Sequence, residues 1–589
     1  MSISILEAQD QTLNKITFKG NKNIKSSDIQ KQLNMKPYSG FRKLFFWQKR
    51  PDYDPELLAQ DKINIIRYLQ ANGYLYSELD TVVKEKRNGK VNIEYNIKEN
   101  RPVRIEMVRF TVNDTLTIEN PVPRRRRVLF FNQPTFNSRR GTIFRDSAIN
   151  EDKAFVNNAI IRNGFLKSET NYVVTLEEDP DKRDSKVSLD FYIYPGKRYY
   201  VNRKIILGNR NTDRKTVNDQ ITLQDSTVYR ASVIDESNEN LMKIGVFRSV
   251  HIYPTFIDDT EYVNAVFNFS EQLKWTAKTG FGYGTEERFR FSADFTHHNI
   301  FKKADQQQLS FKTSYLEPWN IQFRWTQPGF LHRKLTLVVN PFYLREDEKD
   351  YTLDTFGNTT TLSYYLIKNW TLYLSHQLEQ NDIFDISAEI DEKQQVYNLS
   401  TVSSKLDLNY SFPKYNPVEG FHVITNAGLA GVGMNNNYNY YFLGQEFRYY
   451  QPIKNSFLLA YRGAYQTQDE INESSEIPLP NMYKLGGMQS VRGYYRDTIG
   501  PREGGRSSLL INVEARIPLY KDFNTALLYD AGHVLSKSYA YNFKELSQSV
   551  GIGFRYVTKF GTIRTDFATP LHHITFKEIK WYLTIGETF

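Results

Sequence analysis

One arginine near the carboxyl end of the chain has neighbours that could hold it as a fixed internal charge. Arg492 lies in Gly486-Gly487-Met488-Gln489-Ser490-Val491-Arg492-Gly493-Tyr494, between glycines that let a loop fold back on itself. A guanidinium carried into the lumen of a barrel stays there only if carboxylates neutralise it. Two candidates follow on strand-like runs, Asp530 in Leu-Leu-Tyr-Asp-Ala-Gly and Asp566 in Thr-Ile-Arg-Thr-Asp-Phe-Ala. The sequence therefore predicts an internal loop, at about 480–506, whose tip Arg492-Gly493-Tyr494 is locked by one or both aspartates.

No constellation typical of catalysis accompanies this loop. Cys is absent, which removes disulfides, thiolate nucleophiles and Cys-ligated metals. The nine His show no metal-ligand spacing, and the pairs His297-His298 and His572-His573 would face opposite sides of a strand. A Gly-x-Ser-x-Gly elbow is missing, and the net charge of +9 comes without a nucleic-acid motif. We therefore predict no enzyme activity, no catalytic residues, no metal or cofactor, and no nucleic-acid partner.

The composition indicates strands that meet lipid. Mean hydropathy is −0.56, and no apolar run approaches the roughly 18 residues that a transmembrane helix needs. A β-barrel has the same average, because only alternate residues contact lipid. With 40 Tyr and 39 Phe, the chain is 14% aromatic, which is typical of barrel strands with aromatic girdles.

The alternation that such strands need begins at about Trp275 and continues to the end. One face of the first strand would carry Trp275, Ala277, Thr279, Phe281 and Tyr283, and the other Thr276, Lys278, Gly280, Gly282 and Gly284. At roughly 20 residues per strand and connection, residues 274–589 accommodate about sixteen strands in a closed barrel. A soluble sandwich or lipocalin-like fold is the alternative, and the length, the aromatic density and the terminal Phe589 count against it.

The two end strands of this barrel could form a weak lateral seam. Gly280, Gly282 and Gly284 fall on the predicted inner face of the first strand, where glycine reduces packing and lowers strand stability. The last strand alternates through Trp581 to Phe589. These five residues define the predicted seam. The alternative is that the three glycines only make space for the internal loop, and both can hold together.

The amino-terminal half repeats a small unit after a tail at 1–13. Residues 15–21 and 204–210 look like the same strand ending in Gly-Asn, and helices close on Gly73, Gly164 and Gly245 before two further strands. Each unit reads β-α-α-β-β, which predicts three domains at 14–102, 103–198 and 199–273. Asp54 and Pro55 begin the long helix of the first unit, and we expect the helix of the second to start after Asn150.

These features together resemble the BamA/TamA superfamily of outer-membrane assembly and secretion barrels. The Val-Arg-Gly-Tyr loop is similar to the family's V-R-G-[FY] loop, and the repeats look like POTRA domains. The segments 415–421, 512–519 and 561–571 and the terminal Phe589 also resemble family segments. The fold class implied is α+β POTRA repeats followed by an all-β, sixteen-stranded transmembrane barrel. Three repeats make TamA the nearest member in domain count.

The resemblance implies an insertase in the cell outer membrane, with its POTRA arm in the periplasm. It would insert β-barrel proteins through a transiently opening seam. Its implied partners are the outer-membrane lipid bilayer, unfolded β-barrel substrates bound along POTRA sheet edges, and a TamB-like protein or assembly lipoproteins. Two alternatives remain, a two-partner-type secretion pore and a BamA-type core subunit with fewer POTRA units. A passive porin would not need POTRA units.

Two basic segments leave open questions. Arg124-Arg125-Arg126-Arg127 interrupts the second repeat and reads either as a solvated loop or as a contact for anionic lipid head groups. Arg496, Arg502 and Arg506 lie in the predicted internal loop and could compete with Arg492 for carboxylates. Residues 1–4 lack the n-region and h-region of a signal peptide, so for an exported protein we expect a mature or trimmed chain.

Overall fold

The computed structural model describes most of the chain. The described residues are 12–36, 52–86, 89–119, 136–178, 185–387, 395–414, 416–434, 438–453, 457–520, 522–541, 543–558, 561–572 and 578–585. The chain divides into two compact units, Met1–Arg203 with Gln224–Ile234 and Pro254–Ala265, and Lys204–Leu223 with Asp235–Tyr253 and Val266–Phe589. Phe589 and Arg124–Arg127 lie outside the described residues.

The first repeat has the predicted element order. It comprises β1 (Thr12–Lys19), α1 (Ser26–Gln30), α2 (Pro55–Ala71), β2 (Glu78–Lys86) and β3 (Lys90–Lys98), with the sheet order β1-β3-β2. Asp54 caps α2 as predicted, because its side chain accepts hydrogen bonds from the backbone of Glu56 and Leu57. Strand β1 begins within the predicted tail 1–13. The buried face of α2 packs on the sheet through Leu58, Ile65 and Leu69.

The second repeat departs from the predicted pattern. It comprises β4 (Arg104–Val112), β5 (Leu116–Glu119), α3 (Asp146–Ile161), β6 (Glu169–Glu177) and β7 (Lys186–Tyr194), in the sheet order β5-β4-β7-β6. In its described part, β5 rather than a helix follows β4. The sequence predicted that the helix starts after Asn150. Helix α3 begins earlier, at Asp146, so that Asp146 and not Glu151 lies in its first turn.

The third repeat returns to the predicted order. It comprises β8 (Tyr200–Leu207), α4 (Arg214–Gln220), α5 (Ala231–Lys243), β9 (Phe247–Phe256) and β10 (Tyr262–Glu271), in the sheet order β8-β10-β9. The glycines that follow the long helices, Gly73, Gly164 and Gly245, have φ of +90°, +99° and +74°. This left-handed conformation confirms the helix ends read from the sequence. The structure thus has three POTRA-like sheets.

The repeats also share buried polar anchors. Asp61 on α2 accepts hydrogen bonds from the backbone N of Asn34 and Met35, at 2.6 and 3.2 Å. Asp152 on α3 does the same for Asn137 and Ser138, at 2.8 and 2.7 Å. In both repeats a helix carboxylate satisfies the backbone of the preceding loop, which would otherwise carry unpaired buried donors.

Sixteen antiparallel strands close the carboxyl-terminal barrel, which confirms the predicted fold class. They are β11 (Trp275–Gly284), β12 (Arg288–His298), β13 (Gln306–Thr313), β14 (Trp319–Pro328), β15 (Leu335–Asp347), β16 (Thr352–Ile367), β17 (Trp370–Phe384), β18 (Gln395–Asn409), β19 (Gly420–Ala430), β20 (Tyr440–Ile453), β21 (Phe457–Glu470), β22 (Ser507–Tyr520), β23 (Phe523–Leu535), β24 (Ser547–Thr558), β25 (Gly561–Pro570) and β26 (Lys580–Ile585). None of the described helices combines the length and apolar character required to cross a membrane.

Alternation sorts the side chains of the barrel between two faces. Phe281 and Phe289 are 77% and 79% exposed on the outer face, whereas Arg290 is 5% exposed on the inner face. Charged side chains on the inner face find partners there, as Arg290 does with Glu287 at 2.7 Å. The barrel therefore presents an aromatic outer surface and a polar, ion-paired lumen.

Candidate functional site: an arginine loop in the barrel lumen and the seam beside it

The internal loop connects β21 to β22 and folds back along the barrel wall. Its two limbs are joined by hydrogen bonds between the backbones of Tyr483 and Gly505, at 2.9 Å in each direction, and between Ile499 N and Leu485 O at 2.9 Å. Val491, just before the arginine, is fully buried against Ile499 and the wall. The loop is therefore a fixed element, held at its base and near its tip.

Arg492, at the tip, lies among three carboxylates of the wall. Asp530 on β23 accepts from Nε at 2.6 Å, from Nη2 at 2.7 Å and from the backbone N at 3.1 Å. Nη1 donates to Glu514 on β22 at 2.8 Å and lies 3.3 Å from Asp566 on β25. The guanidinium is 3% exposed, and Asp530 and Asp566 are 1% and 0% exposed. The structure thus brings Arg492 together with both predicted aspartates.

Burial opposes the charged form of Arg492, but its partners outweigh that effect. The hydrogen bond and charge of Asp530, together with the two other carboxylates, raise the pKa of this guanidinium above its usual value. The bidentate contact with Asp530 is the stronger geometry for such a pair. Arg492 therefore keeps its positive charge in this buried position.

Glu514 was missed in the sequence analysis. It lies in the segment 512–519, and strand alternation places Asn512, Glu514 and Arg516 on the same face. Asn512 contributes as well, because its Nδ2 donates to Asp530 at 2.8 Å and to the backbone of Ser490 at 2.7 Å. A signal for both residues was therefore present in the sequence.

The wall supplies further cations around the same carboxylates. Asp566 also accepts from Arg555 and, at 2.9 Å, from Arg564, while Glu514 accepts from Arg516 at 2.8 Å. Four guanidinium groups thus share three carboxylates in one network. Removing the side chain of Arg492 would leave Asp566 and Glu514 with other guanidinium partners, whereas Asp530 would keep, among the described contacts, the amide of Asn512 and the backbone N of residue 492.

The residues after Arg492 seat the tip against the wall. Gly493 has φ +94°, and a Cβ there would lie 3.0 Å from the backbone of Thr569 and 3.1 Å from Ser549, so this position requires glycine. The hydroxyl of Tyr494 donates to the backbone of Gln548 at 3.4 Å. The tip therefore touches β24 and β25 as well as its carboxylate partners.

The other loop arginines do not compete for these carboxylates. Arg496 pairs with Glu348 at 2.6 Å and Arg502 with Asp350 at 2.8 Å, both in the connection between β15 and β16. Arg506 pairs with Asp469 and Glu470 at the end of β21. Each arginine has its own acidic partner, so the expected competition is absent from the described contacts.

The seam between β11 and β26 is described over a short stretch, because the described residues end at Ile585. Within it, two register pairs join the strands, Tyr283 with Ile585 and Gly284 with Thr584, and Thr285 N donates to Leu583 O at 3.1 Å. By contrast, ten pairs join β11 to β12 and six join β25 to β26. Through the described residues, the part of β11 before Tyr283 has no partner on β26.

The three seam glycines differ in what surrounds them. A Cβ on Gly282 would lie 2.8 Å from the carbonyl oxygen of Ile585 and 3.0 Å from Arg290 Nε, whereas one on Gly280 would meet only Ser292 Oγ, at 2.7 Å. The atom nearest to a Cβ on Gly284 would be the carbonyl oxygen of Leu583, at 3.8 Å. The nearest groups belong to neighbouring strands and not to the internal loop.

Trp581 lies on β26 but faces away from β11. Its indole Nε1 donates to Thr565 on β25 at 2.7 Å, and its ring is 52% exposed. The structure thus places Trp581 on the outer surface beside the seam and not in contact with Gly280, Gly282 or Gly284. The other predicted seam residue on this side, Phe589, lies beyond the described part of β26.

A closed sixteen-strand barrel behind POTRA-like sheets, with an arginine loop inside, defines the class of POTRA-and-barrel proteins. The profile of the Omp85 superfamily domain matches residues 299–589, and that of the POTRA domain, described as a surface antigen variable number repeat, matches residues 11–100. The chain thus carries the POTRA and Omp85 domains that together support a BamA/TamA-type superfamily protein.

Several relatives and one solved structure that are similar to the chain carry the name BamA. The outer membrane protein assembly factor BamA of Neorickettsia risticii is 22% identical over 97% of this chain and 77% of the relative. That of Neisseria meningitidis serogroup B is also 22% identical, over 100% of this chain and 76% of the relative. The crystal structure of BamA from Haemophilus ducreyi lacking POTRA domains 1–3 matches with a TM-score of 0.57 and 19% identity, over 76% of this chain and 95% of that one. At this identity the structural likeness shows the fold. The nearer likeness to TamA stays a prediction.

Proposed function

We propose that this protein is an outer-membrane assembly factor that inserts β-barrel proteins through a transient opening between β11 and β26. The observation that carries the proposal is the seam, where the described residues form two register pairs between β11 and β26, compared with ten between β11 and β12. Antiparallel strands are held by backbone hydrogen bonds at alternate register pairs, so among the described residues this junction has the fewest such bonds to lose. The names of the relatives, outer membrane protein assembly factor, support the same activity.

The mechanism follows from the free edge that an open seam exposes. Once β26 withdraws, the edge of β11 that faced it has unpaired backbone donors and acceptors, while the other edge stays paired with β12. The free edge then binds an incoming strand. Gly282 has no side chain where the carbonyl oxygen of Ile585 comes within 2.8 Å of the position of a Cβ, so a neighbouring backbone can approach β11 closely there. The arginine loop, held by Asp530, Glu514 and Asp566, keeps the wall on the β26 side ordered while the seam opens.

The POTRA-like units supply edges for extended chains. In the first two sheets the orders β1-β3-β2 and β5-β4-β7-β6 place β2 and β6 at an edge. Val173 on β6 is 51% exposed, which leaves apolar surface beside that edge. We place the barrel in the outer membrane and the POTRA-like units in the periplasm. There the POTRA-like units bind unfolded β-barrel substrates and a TamB-like protein or assembly lipoproteins.

Reconstitution tests the proposal. The full chain is incorporated into phospholipid vesicles, an unfolded small β-barrel protein is added, and its insertion is measured by protection from protease and by heat-modifiable mobility. Insertion should be faster than into empty vesicles and into vesicles carrying a porin of similar size. Equal rates in all three would contradict the insertase. Passage of an unfolded chain into the vesicle interior without insertion would favour the secretion pore.

A further inference from the structure

The internal loop contacts the first hairpin of the barrel. Glu286, in the turn between β11 and β12, accepts a hydrogen bond from the backbone N of Met488 at 3.0 Å. Gly487 has φ +90°, and a Cβ there would lie 2.6 Å from Glu286 Oε1, so only glycine allows this approach. Burial raises the pKa of Glu286, while the bond from Met488 acts in the opposite direction.

The same loop contacts the last strand on the other side of the seam. The hydroxyl of Tyr582 accepts from Gly493 N at 3.0 Å and donates to Tyr494 O at 2.8 Å. The hydroxyl of Thr584 donates to the sulfur of Met488 at 3.0 Å. Met488 packs with Tyr582 in a small buried cluster, and both side chains are under a tenth exposed.

Met488 therefore makes hydrogen bonds to both sides of the seam, to Glu286 through its backbone and to Thr584 through its side chain. We propose that the loop tip holds the seam shut. The clasp consists of the loop residues Met488 and Gly493 and the wall residues Glu286, Tyr582 and Thr584. Four hydrogen bonds run through the clasp, one to the β11 side at Glu286 and three to β26 at Tyr582 and Thr584. Opening therefore requires the loop to release one side, and Glu286 and Tyr582 act as positioning residues.

This inference rests on the proposed function only in its biological meaning, because seam opening can be measured without any substrate. The Cys-free chain accepts two introduced cysteines, Ala277→Cys on β11 and Ile563→Cys on β25, for spin labels on opposite sides of the seam. Double electron–electron resonance on the full chain in phospholipid vesicles then reports the distance between them. Heat-modifiable mobility selects the folded barrel in every sample.

Tyr582→Phe removes both clasp hydrogen bonds of the hydroxyl and keeps the ring. Glu286→Ala removes the acceptor for Met488, while Glu286→Gln keeps an oxygen in its place. We expect Glu286→Ala to raise the long-distance population about fivefold, as the loss of one ordinary hydrogen bond would, and Tyr582→Phe, which loses two, to raise it at least as much. Glu286→Gln should resemble the wild type.

Tyr529→Phe is the matched control, because the Tyr529 hydroxyl donates to Gln548 at 3.0 Å within the wall and does not touch the clasp. It should leave the distances unchanged. Arg492→Ala releases the tip that carries Gly493, so combining it with Tyr582→Phe should add little to either change alone. Unchanged distances in both Tyr582→Phe and Glu286→Ala, or an equal change in Tyr529→Phe, would overturn the clasp.

The vesicle insertion assay separates the clasp from the proposed function. If Tyr582→Phe opens the seam but no variant or wild type accelerates insertion, the clasp stands and the insertase is wrong. If the spin-label distances are the same in the clasp variants as in the wild type, while a seam disulfide stops insertion, the insertase proposal stands and the clasp proposal is wrong.

Discussion

The guanidinium of Arg492 meets the carboxylate of Asp530 side-on, with Nε 2.6 Å from Oδ2 and Nη2 2.7 Å from Oδ1. Both groups are almost fully buried, so the pair fixes the direction of the loop tip as well as its position. The backbone N of Arg492 also binds Asp530, which joins main chain and side chain to one carboxylate. The loop tip is thus anchored to β23 through Asp530.

Arg492→Ala should release the loop tip without unfolding the barrel. Removing one partner of a buried ion pair costs about 3–5 kcal/mol locally, while the barrel remains closed by its strand hydrogen bonds. We expect limited proteolysis within 486–506 to become faster and heat-modifiable mobility to be retained. Arg345→Ala is the control, because Arg345 pairs with Asp354 at 2.6 Å inside the wall. Equal cleavage of wild type and Arg492→Ala would contradict the lock.

A disulfide across the seam should stop insertion. Tyr283→Cys with Ile585→Cys places two cysteines on register partners, within the Cα separation that a disulfide allows. The chain has no other Cys to compete. Oxidised protein should be inactive in the vesicle assay and in complementation, and reduction should restore activity.

The control for the locked seam shares one of its cysteines. Tyr283→Cys with Phe289→Cys joins β11 to β12, which are already paired along their length. This second disulfide should leave activity unchanged in oxidised protein. Full activity of the oxidised seam variant would remove the opening mechanism and favour a passive or plug-gated pore.

Gly282→Val should loosen the seam by crowding. Its Cβ would lie 2.8 Å from the carbonyl oxygen of Ile585, and overpacking of this kind typically costs about 1–3 kcal/mol. We expect a lower yield of the seam disulfide in this background. Gly463→Val is the control, since a Cβ on Gly463 of β21 would meet no atom within 4 Å. An unchanged disulfide yield in Gly282→Val would show that the close approach has no consequence.

The repeats should fold apart from the barrel. We expect residues 14–273 to be monomeric and folded without detergent, and residues 275–589 to require detergent, because only the second segment carries an aromatic lipid-facing surface. Circular dichroism and size-exclusion chromatography provide the measurement. Aggregation of 14–273 with a freely soluble 275–589 would reverse the interpretation.

Asp61→Ala should destabilise the first repeat. The substitution leaves the backbone donors of Asn34 and Met35 without an acceptor, at a cost of about 1–3 kcal/mol. Chemical denaturation of the fragment 14–273 would show an earlier transition. Glu78→Ala removes an exposed pair with Lys98 and should change the transition little. Identical transitions for both variants would contradict the role of Asp61.

The periodicity of the sequence made the fold predictable. Features that depend on tertiary contacts, such as the start of α3, were predicted less well. The alternation from Trp275 onward coincides with the first residue of β11, because one face of every barrel strand meets a different solvent. The start of α3 was wrong because Asp152 was read as a residue of the first turn. Its carboxylate instead anchors the preceding loop, and no local pattern distinguishes these two roles.

The site was partly predictable for the same reason. Arg492, Asp530 and Asp566 carry charges in segments whose alternation points them inward, so charge neutrality suggested their contact. Glu514 satisfies the same condition and was overlooked. The clasp could not be foreseen, because Glu286 and Tyr582 lie nearly three hundred residues apart in sequence, and only the closure of the barrel brings them to one loop.

The glycine at 282 also limits the registers in which the seam can close. Shifting β26 by one residue along β11 would exchange inner and outer side chains, and shifting it by two would remove Gly282 from the place where the Ile585 carbonyl oxygen comes nearest. Closure therefore has one favoured alignment, set by a missing side chain and not by added contacts. In the proposed opening cycle, the barrel would return to the same alignment, in which the described residues form two register pairs.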